Sequence, residues 1–121
     1  MLTLEDAILK IRDNPIKYIG KKSLKRLDLF ISGYTLSQLE RDGKYQEFLD
    51  QYQKFLARKY NIRQSKRFSM IIQDNSASDE HAFEKFYELL GEFYNNQWLV
   101  IKEMIFYELY EGYSRSNKIE T

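Results

Sequence analysis

The sequence predicts an all-α protein, a single compact domain of five or six mostly antiparallel helices around an aromatic-rich core. Apolar residues recur at intervals of three and four along most of the chain, which is the spacing of one helix face. The polar breaks between these segments are short, so consecutive helices should pack as antiparallel neighbours. With 121 residues the chain can build one core but not two. We therefore expect one helical domain over residues 1–121, with residues 114–121 as a frayed tail.

Aromatic residues are unusually frequent and should form much of the core. Eight Phe, ten Tyr and one Trp account for 16% of the chain. Most of them fall at helical spacing, which favours core packing over a ligand-binding role. The tyrosine hydroxyls still need hydrogen-bond partners, so several tyrosines should lie at the edge of the core.

The first predicted helix spans residues 4–13. Thr3 is placed to cap its N-terminus, with Asp6 at the third helical position. Pro15 should end this helix, because the residue before a proline is disfavoured in the α conformation. Residues 15–22 are then predicted as a connector whose apolar side chains tuck against the core. Those side chains are Ile16, Tyr18 and Ile19.

The second long helix should run from residue 24 to about residue 41. Gly20 suits a turn position with positive φ, and Ser23 suits the N-cap. Gly43 provides a C-terminal stop. Gly33 lies inside the helix, and we interpret it as a point of close helix packing. The apolar stripe of this helix consists of Leu24, Leu27, Phe30, Ile31 and Tyr34.

The next segments differ in how clearly they can be assigned. Residues 44–60 show the clearest helical periodicity, beginning at Tyr45, and residues 61–66 form a polar break. Residues 68–73 fit either a short helix, which we favour, or a strand, because the segment is too short for periodicity to decide. Residues 74–78 form a loop that caps the following helix.

That helix should bury a phenylalanine-rich face and end near Asn95 and Asn96. A last helix is predicted from residue 98 to about residue 113, apolar on more than one side. The buried face of the earlier helix is predicted to consist of Ala82, Phe83, Phe86, Leu89, Leu90 and Phe93.

No feature of the sequence indicates export or membrane insertion. The chain has no cysteine, which excludes disulfides, thiol nucleophiles and thiolate metal sites. No basic segment followed by an apolar segment appears at the N-terminus. The most apolar run, residues 98–110, is interrupted by Lys102, Glu103 and Glu108, so it should not span a bilayer. We expect a cytoplasmic protein.

Catalytic and metal-binding patterns are weak. The one histidine, His81, lies at the start of a predicted helix with Glu84 three residues on, too few ligands for a metal site. No glycine-rich phosphate loop is present. The acidic residues on this helix repeat at one spacing, whereas an acid–base pair needs two different environments. We therefore expect no catalytic residue, no metal and no cofactor, and a protein that is not an enzyme.

Charge is divided unevenly along the chain. Residues 1–67 carry 15 Lys and Arg against 8 Asp and Glu, a net charge of +7, while residues 68–121 carry 4 against 10, a net charge of −6. This division allows a basic face and an acidic face. The basic cluster surrounds Tyr18; it is typical of a solvated loop and the exposed side of a helix, and it would also suit phosphates and a stacked base. A total net charge of +1 argues against nucleic acid as the main partner. The basic cluster consists of Lys17, Lys21, Lys22, Lys25 and Arg26.

An acidic surface is predicted along one side of the phenylalanine-rich helix. Lys85 is the one basic residue among these acidic positions in the sequence. The surface is typical of a solvated helix face, and it would also suit docking to a basic protein such as a nuclease. The acidic residues are Asp74, Asp79, Glu80, Glu84, Glu88 and Glu92.

Three blocks of the sequence resemble a group of small bacterial proteins, over roughly residues 1–95. The first block contains Pro15, Tyr18, Ile19, Gly20, Ser23, Leu24, Leu27, Phe30, Gly33 and Tyr34; the second Phe55, Ala57 and Arg58; the third Phe83, Phe86, Leu89, Leu90 and Phe93. The chain departs from the pattern at Ile16 and Lys17, where a Gly-Met-like pair is expected; this affects only the predicted connector.

The resemblance implies an immunity protein of bacterial polymorphic toxin loci, including contact-dependent growth inhibition. Such a protein binds a toxin domain delivered by a neighbouring cell and blocks it, and the toxin is often a nuclease. The resemblance supplies no binding residues. From the charge pattern we expect toxin contacts at Asp79, Glu80, Glu84, Glu88 and Glu92. The alternative is a small nucleic-acid-associated or regulatory protein that uses the basic cluster. The sequence leaves the oligomeric state open.

Overall fold

A computed structural model describes residues 2–95, and this part of the chain is all-α as predicted, without a strand. Its six helices are α1 (Leu4–Asp13), α2 (Pro15–Ile19), α3 (Leu24–Asp42), α4 (Glu47–Lys59), α5 (Phe68–Asp74) and α6 (residues 79–95). Contacts divide the chain into two compact units, residues 1–90 and 91–121, and only residues 91–95 of the second are described. The predicted break at Asn96, the helix over residues 98–113 and the tail lie outside the described residues.

Helix α1 begins and ends where the sequence predicts. The Thr3 hydroxyl accepts a hydrogen bond from the backbone N–H of Asp6 at 3.1 Å, which satisfies one of the free N–H groups of the first turn. Leu4, Ile8 and Ile11 are buried on one face of this helix. The cap and the 3.6-residue periodicity therefore suffice to define this element.

The predicted connector after α1 is wrong over its first five residues, which form α2. Asn14 lies at the end of α1, where its backbone N–H donates to the carbonyl of Lys10. Its side-chain oxygen caps α2 by accepting a hydrogen bond from the N–H of Lys17 at 3.4 Å. Pro15 occupies the first position of α2, where its missing N–H removes no intrahelical bond. The proline thus ends one helix and also begins the next.

The expected burial of the α2 side chains is also wrong for two of the three. Ile16 is 73% exposed and Tyr18 is 47% exposed, while Ile19 is half-buried. A helix of five residues presents little more than one turn, so only a narrow face can pack inward. Ile19 occupies that face, and the other two side chains remain at the surface.

The turn between α2 and α3 matches the prediction. Gly20 adopts φ +88°, and Arg26 donates from Nη1 to the carbonyl of Ile19 at 2.9 Å beside it. A Cβ at Gly20 would collide with that guanidinium. Ser23 caps α3 by accepting from the N–H of Arg26 at 3.1 Å. This turn therefore needs glycine for its φ angle, and a larger residue would also displace the Arg26 guanidinium from the Ile19 carbonyl.

Helix α3 ends at Gly43 as predicted, but the interpretation of Gly33 is wrong. Gly43 adopts φ +68°, and its N–H donates to the Leu39 carbonyl at 2.8 Å. Gly33 is exposed, and a Cβ built on it meets no atom within 4 Å. Leu24, Leu27 and Ile31 make up the buried face. Gly33 points away from that face, so no helix packs closely against it within residues 2–95.

Helix α4 begins three residues later than the sequence predicts. Tyr45, at which the predicted helical periodicity begins, lies outside the helix and is 84% exposed, so its inclusion in that apolar pattern is wrong. The left-handed Gly43 sends the chain into extended backbone, and the N-cap residue Gln46 makes no side-chain cap hydrogen bond. The chain therefore enters the helix only at Glu47.

Residues 68–74 form the short helix that we favoured over a strand. Its first N–H group, that of Phe68, donates to the side-chain oxygen of Gln53 at 3.1 Å. Arg67, just before it, donates from Nε to both carboxylate oxygens of Asp28 at 3.1 and 3.0 Å, and the hydroxyl of Ser69 donates to the same carboxylate at 2.7 Å. The hydrogen bond to Asp28 raises the pKa of the Arg67 guanidinium. These bonds join the start of α5 to α3 and α4.

The core contains a buried aromatic cluster among aliphatic side chains, and its tyrosines form hydrogen bonds as predicted. Tyr52 and Phe86 meet edge to face with ring centroids 5.4 Å apart, and Phe68 lies 5.9 Å from Phe86. The buried Tyr52 hydroxyl donates to the Phe86 carbonyl at 2.9 Å. The Tyr87 hydroxyl donates to the Ile8 carbonyl at 2.7 Å, and burial raises the pKa of this phenol. These two hydroxyls join α6 to α4 and α1.

We expect Gly33→Ala to stabilise the protein by roughly 0.5–1 kcal/mol, because alanine favours the helix and its methyl group meets no neighbour. Gly20→Ala is the opposite control, since it introduces a strained φ and a collision with Arg26. Urea unfolding at low protein concentration measures both. A destabilised Gly33→Ala variant would contradict the open environment at this position.

Candidate functional site

The candidate site is the exposed side of α6. Ser78 caps this helix by accepting from the N–H of His81 at 3.0 Å. The predicted buried face is confirmed, with Ala82, Phe83, Phe86, Leu89 and Leu90 buried in the first unit and Phe93 buried in the second.

Three glutamates follow the solvent side of α6 within the first unit. Glu80, Glu84 and Glu88 are all exposed and succeed one another every four residues, about 6 Å along the helix axis per step. We call them the acidic row. Glu92, predicted as a fourth member, is exposed but belongs to the second unit. The acidic row presents three carboxylates at fixed spacing on a helix whose other side is buried.

Asp79 does not belong to the exposed row with which the sequence grouped it. Its carboxylate accepts a hydrogen bond from the Ser23 hydroxyl and another from the backbone N–H of Lys25 at 3.1 Å. The side chain is half-buried at the point where the N-termini of α3 and α6 meet. Both N-termini carry partial positive charge, which a carboxylate between them compensates. Asp79 therefore holds two helices together.

Basic side chains meet the acidic residues differently from the sequence-based expectation. Lys85, predicted to be their one cation, instead donates to the backbone carbonyl of Asn75. Lys22 pairs with Glu84 at 3.6 Å, and Lys66 pairs with Asp74. The pair of Lys22 and Glu84 is exposed and contributes little stability.

The basic cluster and the acidic row adjoin instead of lying on separate faces. A surface cleft of about 460 Å³ lies between α2, the turn that follows it and the start of α6. Two lysines of the basic cluster, Lys21 and Lys22, line this cleft together with Asp79 and Glu80. Ile16 and Gly20 complete the lining. The row therefore has cations along one edge, while Glu80 and Glu88 have no ion-pair partner within residues 2–95.

The predicted basic cluster is partly occupied by internal contacts. Arg26 donates to the Ile19 carbonyl, and Lys22 pairs with Glu84. The ammonium of Lys17 lies 5.4 Å from the centre of the Tyr18 ring. All five cations of the cluster are nevertheless solvent-exposed residues.

His81 acts as a local capping group. Its Nδ1 accepts a hydrogen bond from the N–H of Ala77 at 2.9 Å, which braces the loop before α6. Within the described residues, no group of three His, Cys, Asp or Glu side chains is placed to hold a metal ion.

The functional arrangement that sequence reasoning missed is the contact of Ser23 with Asp79. The two residues are 56 positions apart, and each has a sufficient local explanation, Ser23 as an N-cap and Asp79 as a first-turn acid. The sequence offered one indication of this contact, which is that both residues lie at predicted helix N-termini.

Comparison with protein-family profiles, curated proteins and solved structures gives no match for this chain. Among residues 2–95, no helix has the length and apolar character needed to cross a membrane. The candidate site therefore has to be interpreted from its own geometry.

We expect Asp79→Ala to lower the free energy of unfolding by about 1–2 kcal/mol, because it leaves the Ser23 hydroxyl and the Lys25 N–H without their acceptor. Glu88→Ala, which removes an exposed acid from the middle of the same helix, should change it by less than about 0.5 kcal/mol. Chemical unfolding compares the two variants. If both substitutions changed the free energy of unfolding equally, Asp79 would contribute no more to stability than an exposed glutamate of the acidic row.

Proposed function

We propose that this chain is an immunity protein that binds and neutralises a cognate bacterial toxin domain by non-catalytic protein–protein interaction in the cytoplasm. The observation that carries the proposal is the acidic row, three exposed carboxylates on one side of α6. The resemblance of the three sequence blocks to small immunity proteins predicts the same function. The row would dock on a basic surface, such as the face with which a nuclease binds nucleic acid.

The packing of α6 supports a docking role, because the helix is held firmly behind the row. Hydrogen bonds join it to α4 through Tyr52 and to α1 through Tyr87, and Asp79 fixes its first turn to α3. A preorganised surface loses less conformational entropy on binding than a mobile one. The row spans two helical turns, about 12 Å, without rearrangement.

The charge pattern supports selectivity as well as attraction. Three carboxylates attract a basic partner over several ångströms, accelerate encounter and repel acidic proteins, while cations at the edge of the row would pair with acidic side chains of that partner. Lys21 and Lys22 occupy that edge beside Glu80 and Glu84. In this proposal Glu80, Glu84 and Glu88 contact the toxin, and Asp79 supports them from behind.

The triple variant Glu80→Gln, Glu84→Gln, Glu88→Gln should bind the toxin domain encoded beside this gene about tenfold more weakly, mainly through slower association. The difference from the unmodified protein should shrink as salt is raised, because exposed charges are screened. Stopped-flow or surface-plasmon kinetics at two ionic strengths measures both effects. A growth assay with co-expressed toxin reports protection.

The matched control removes three exposed acids elsewhere, in the variant Asp13→Asn, Asp42→Asn, Glu47→Gln. It changes net charge equally and should retain binding and protection. Absence of binding and protection by the unmodified protein would reject the immunity function. Binding that tolerates the triple row variant would reject the row as its contact surface while leaving the function intact.

A second candidate function, nucleic-acid binding by the basic cluster, gains support from the exposure of Tyr18. The residue is 47% exposed and is surrounded by exposed cations, whereas the sequence predicted its burial. An exposed aromatic ring beside lysines is a typical platform for a stacked base.

This alternative predicts binding of single-stranded DNA or RNA that weakens steeply with salt. Tyr18→Ala should then reduce affinity by about tenfold, since stacking of one base contributes roughly 1–3 kcal/mol. Fluorescence anisotropy with labelled oligonucleotides at low and physiological salt measures it. No binding at low salt would eliminate this function.

A further inference from the structure

The outward side of α3 carries exposed leucines that no element covers within residues 2–95. Leu29 is 74% exposed and Leu36 is 58% exposed, and their separation of seven residues places them on one face. That face is opposite the buried Leu24, Leu27 and Ile31. Between the two leucines lie the small residues Ser32 and Gly33, both exposed; the Ser32 hydroxyl accepts a hydrogen bond from Arg67 Nη2 at 2.7 Å, while Gly33 is uncovered. We define the α3 stripe as Lys25, Leu29, Ser32, Gly33, Leu36 and Glu40.

Opposite charges stand at the two ends of the α3 stripe. Lys25 is in the first turn of α3, and Glu40 is in the last turns, about 22 Å away along the axis. Both residues are exposed, and neither side chain forms an ion pair within the described part of the chain. The lysine lies near the positive end of the helix dipole and the glutamate near the negative end, so neither gains from its own helix.

The α3 stripe is complementary to itself when a second copy runs antiparallel. A two-fold axis between Ser32 and Gly33 brings Leu29 against Leu36 of the second copy, since both are equally far from the midpoint. The same axis brings Lys25 against Glu40 at each end. A parallel pairing would instead place like charges together. We propose that α3 is the interface through which two copies of this chain form an antiparallel homodimer.

The centre of the stripe permits the close approach that such a dimer needs. A Cβ at Gly33 would meet nothing within 4 Å, so the space above it is open. Small residues at a helix crossing let two backbones approach within the usual 8–10 Å interaxial distance. The glycine that the sequence assigned to internal packing thus lies at the crossing point of two copies.

A cleft beside Leu36 can accommodate the Leu29 side chain of the second copy. It has a volume of about 280 Å³ and is lined by Thr35, Leu36, Leu39, Lys44, Tyr45 and Gln46. Tyr45, which is 84% exposed, is one of these lining residues. Leu29 of the second copy enters this cleft, and the two-fold axis repeats the contact. One helix per copy makes a small interface, so the dimer is weak and concentration-dependent.

Sedimentation equilibrium of the full chain tests the dimer from about 5 µM to about 500 µM. The mass should rise from 14.7 kDa toward twice that value. Leu29→Glu and Leu36→Glu should each keep the chain monomeric throughout, with unchanged circular dichroism. Ile16→Glu, at another exposed apolar side chain, should dimerise like the unmodified protein. A monomer at every concentration would overturn the proposal, as would a dimer that tolerates both leucine variants.

Charge exchange tests the antiparallel register. Lys25→Glu and Glu40→Lys should each weaken the dimer by about tenfold, because each turns two attractive pairs into repulsive ones. The double variant Lys25→Glu, Glu40→Lys should restore the original dissociation constant, since the pairs are re-formed with exchanged signs. Weakening in both single variants without recovery in the double variant would overturn the antiparallel arrangement. Neither substitution touches the acidic row, so a failed dimer leaves the proposed function standing.

Discussion

The carboxylate of Asp79 lies where the N-termini of two helices meet, and the placement of α6 against α3 depends on this contact. It accepts hydrogen bonds from Ser23 and from the N–H of Lys25, and it occupies the first turn of its own helix. Two helix N-termini repel each other because both carry partial positive charge. One carboxylate compensates both, and so fixes the start of α6 against the start of α3. The nearby lysines raise the positive potential that this carboxylate offsets.

With its start fixed, α6 can bury its phenylalanines and expose its glutamates. Tyr52 and Tyr87 complete the attachment by donating to carbonyls on α6 and α1, and the aromatic cluster fills the space between. The acidic row is therefore a consequence of how the core side of the helix is held. This also explains why basic and acidic residues adjoin, since the bonds of Asp79 to the Ser23 hydroxyl and the Lys25 N–H bring the lysines around the start of α3 next to the start of α6.

The sequence predicts an element well where its limits are set locally. Thr3, Ser23, Gly20 and Gly43 bond within a few residues of their own positions, and the structure confirms each of them. Predictions fail where the outcome depends on distant neighbours. Spacing alone could not show that Tyr18, Gly33 and Tyr45 are exposed. Periodicity identifies the apolar face of a helix, but it does not say which parts of the surface another helix covers. Asp79 looked like one acid in a row because Ser23 is 56 residues away.

A double-mutant cycle on Ser23 and Asp79 measures the central contact most directly. Ser23→Ala, Asp79→Ala and the double variant would be unfolded in urea beside the unmodified protein. A coupling free energy of about 1 kcal/mol or more is expected, because each residue loses its partner when the other is removed. Additive effects would mean that the two helix N-termini are held together by something other than the Asp79 carboxylate.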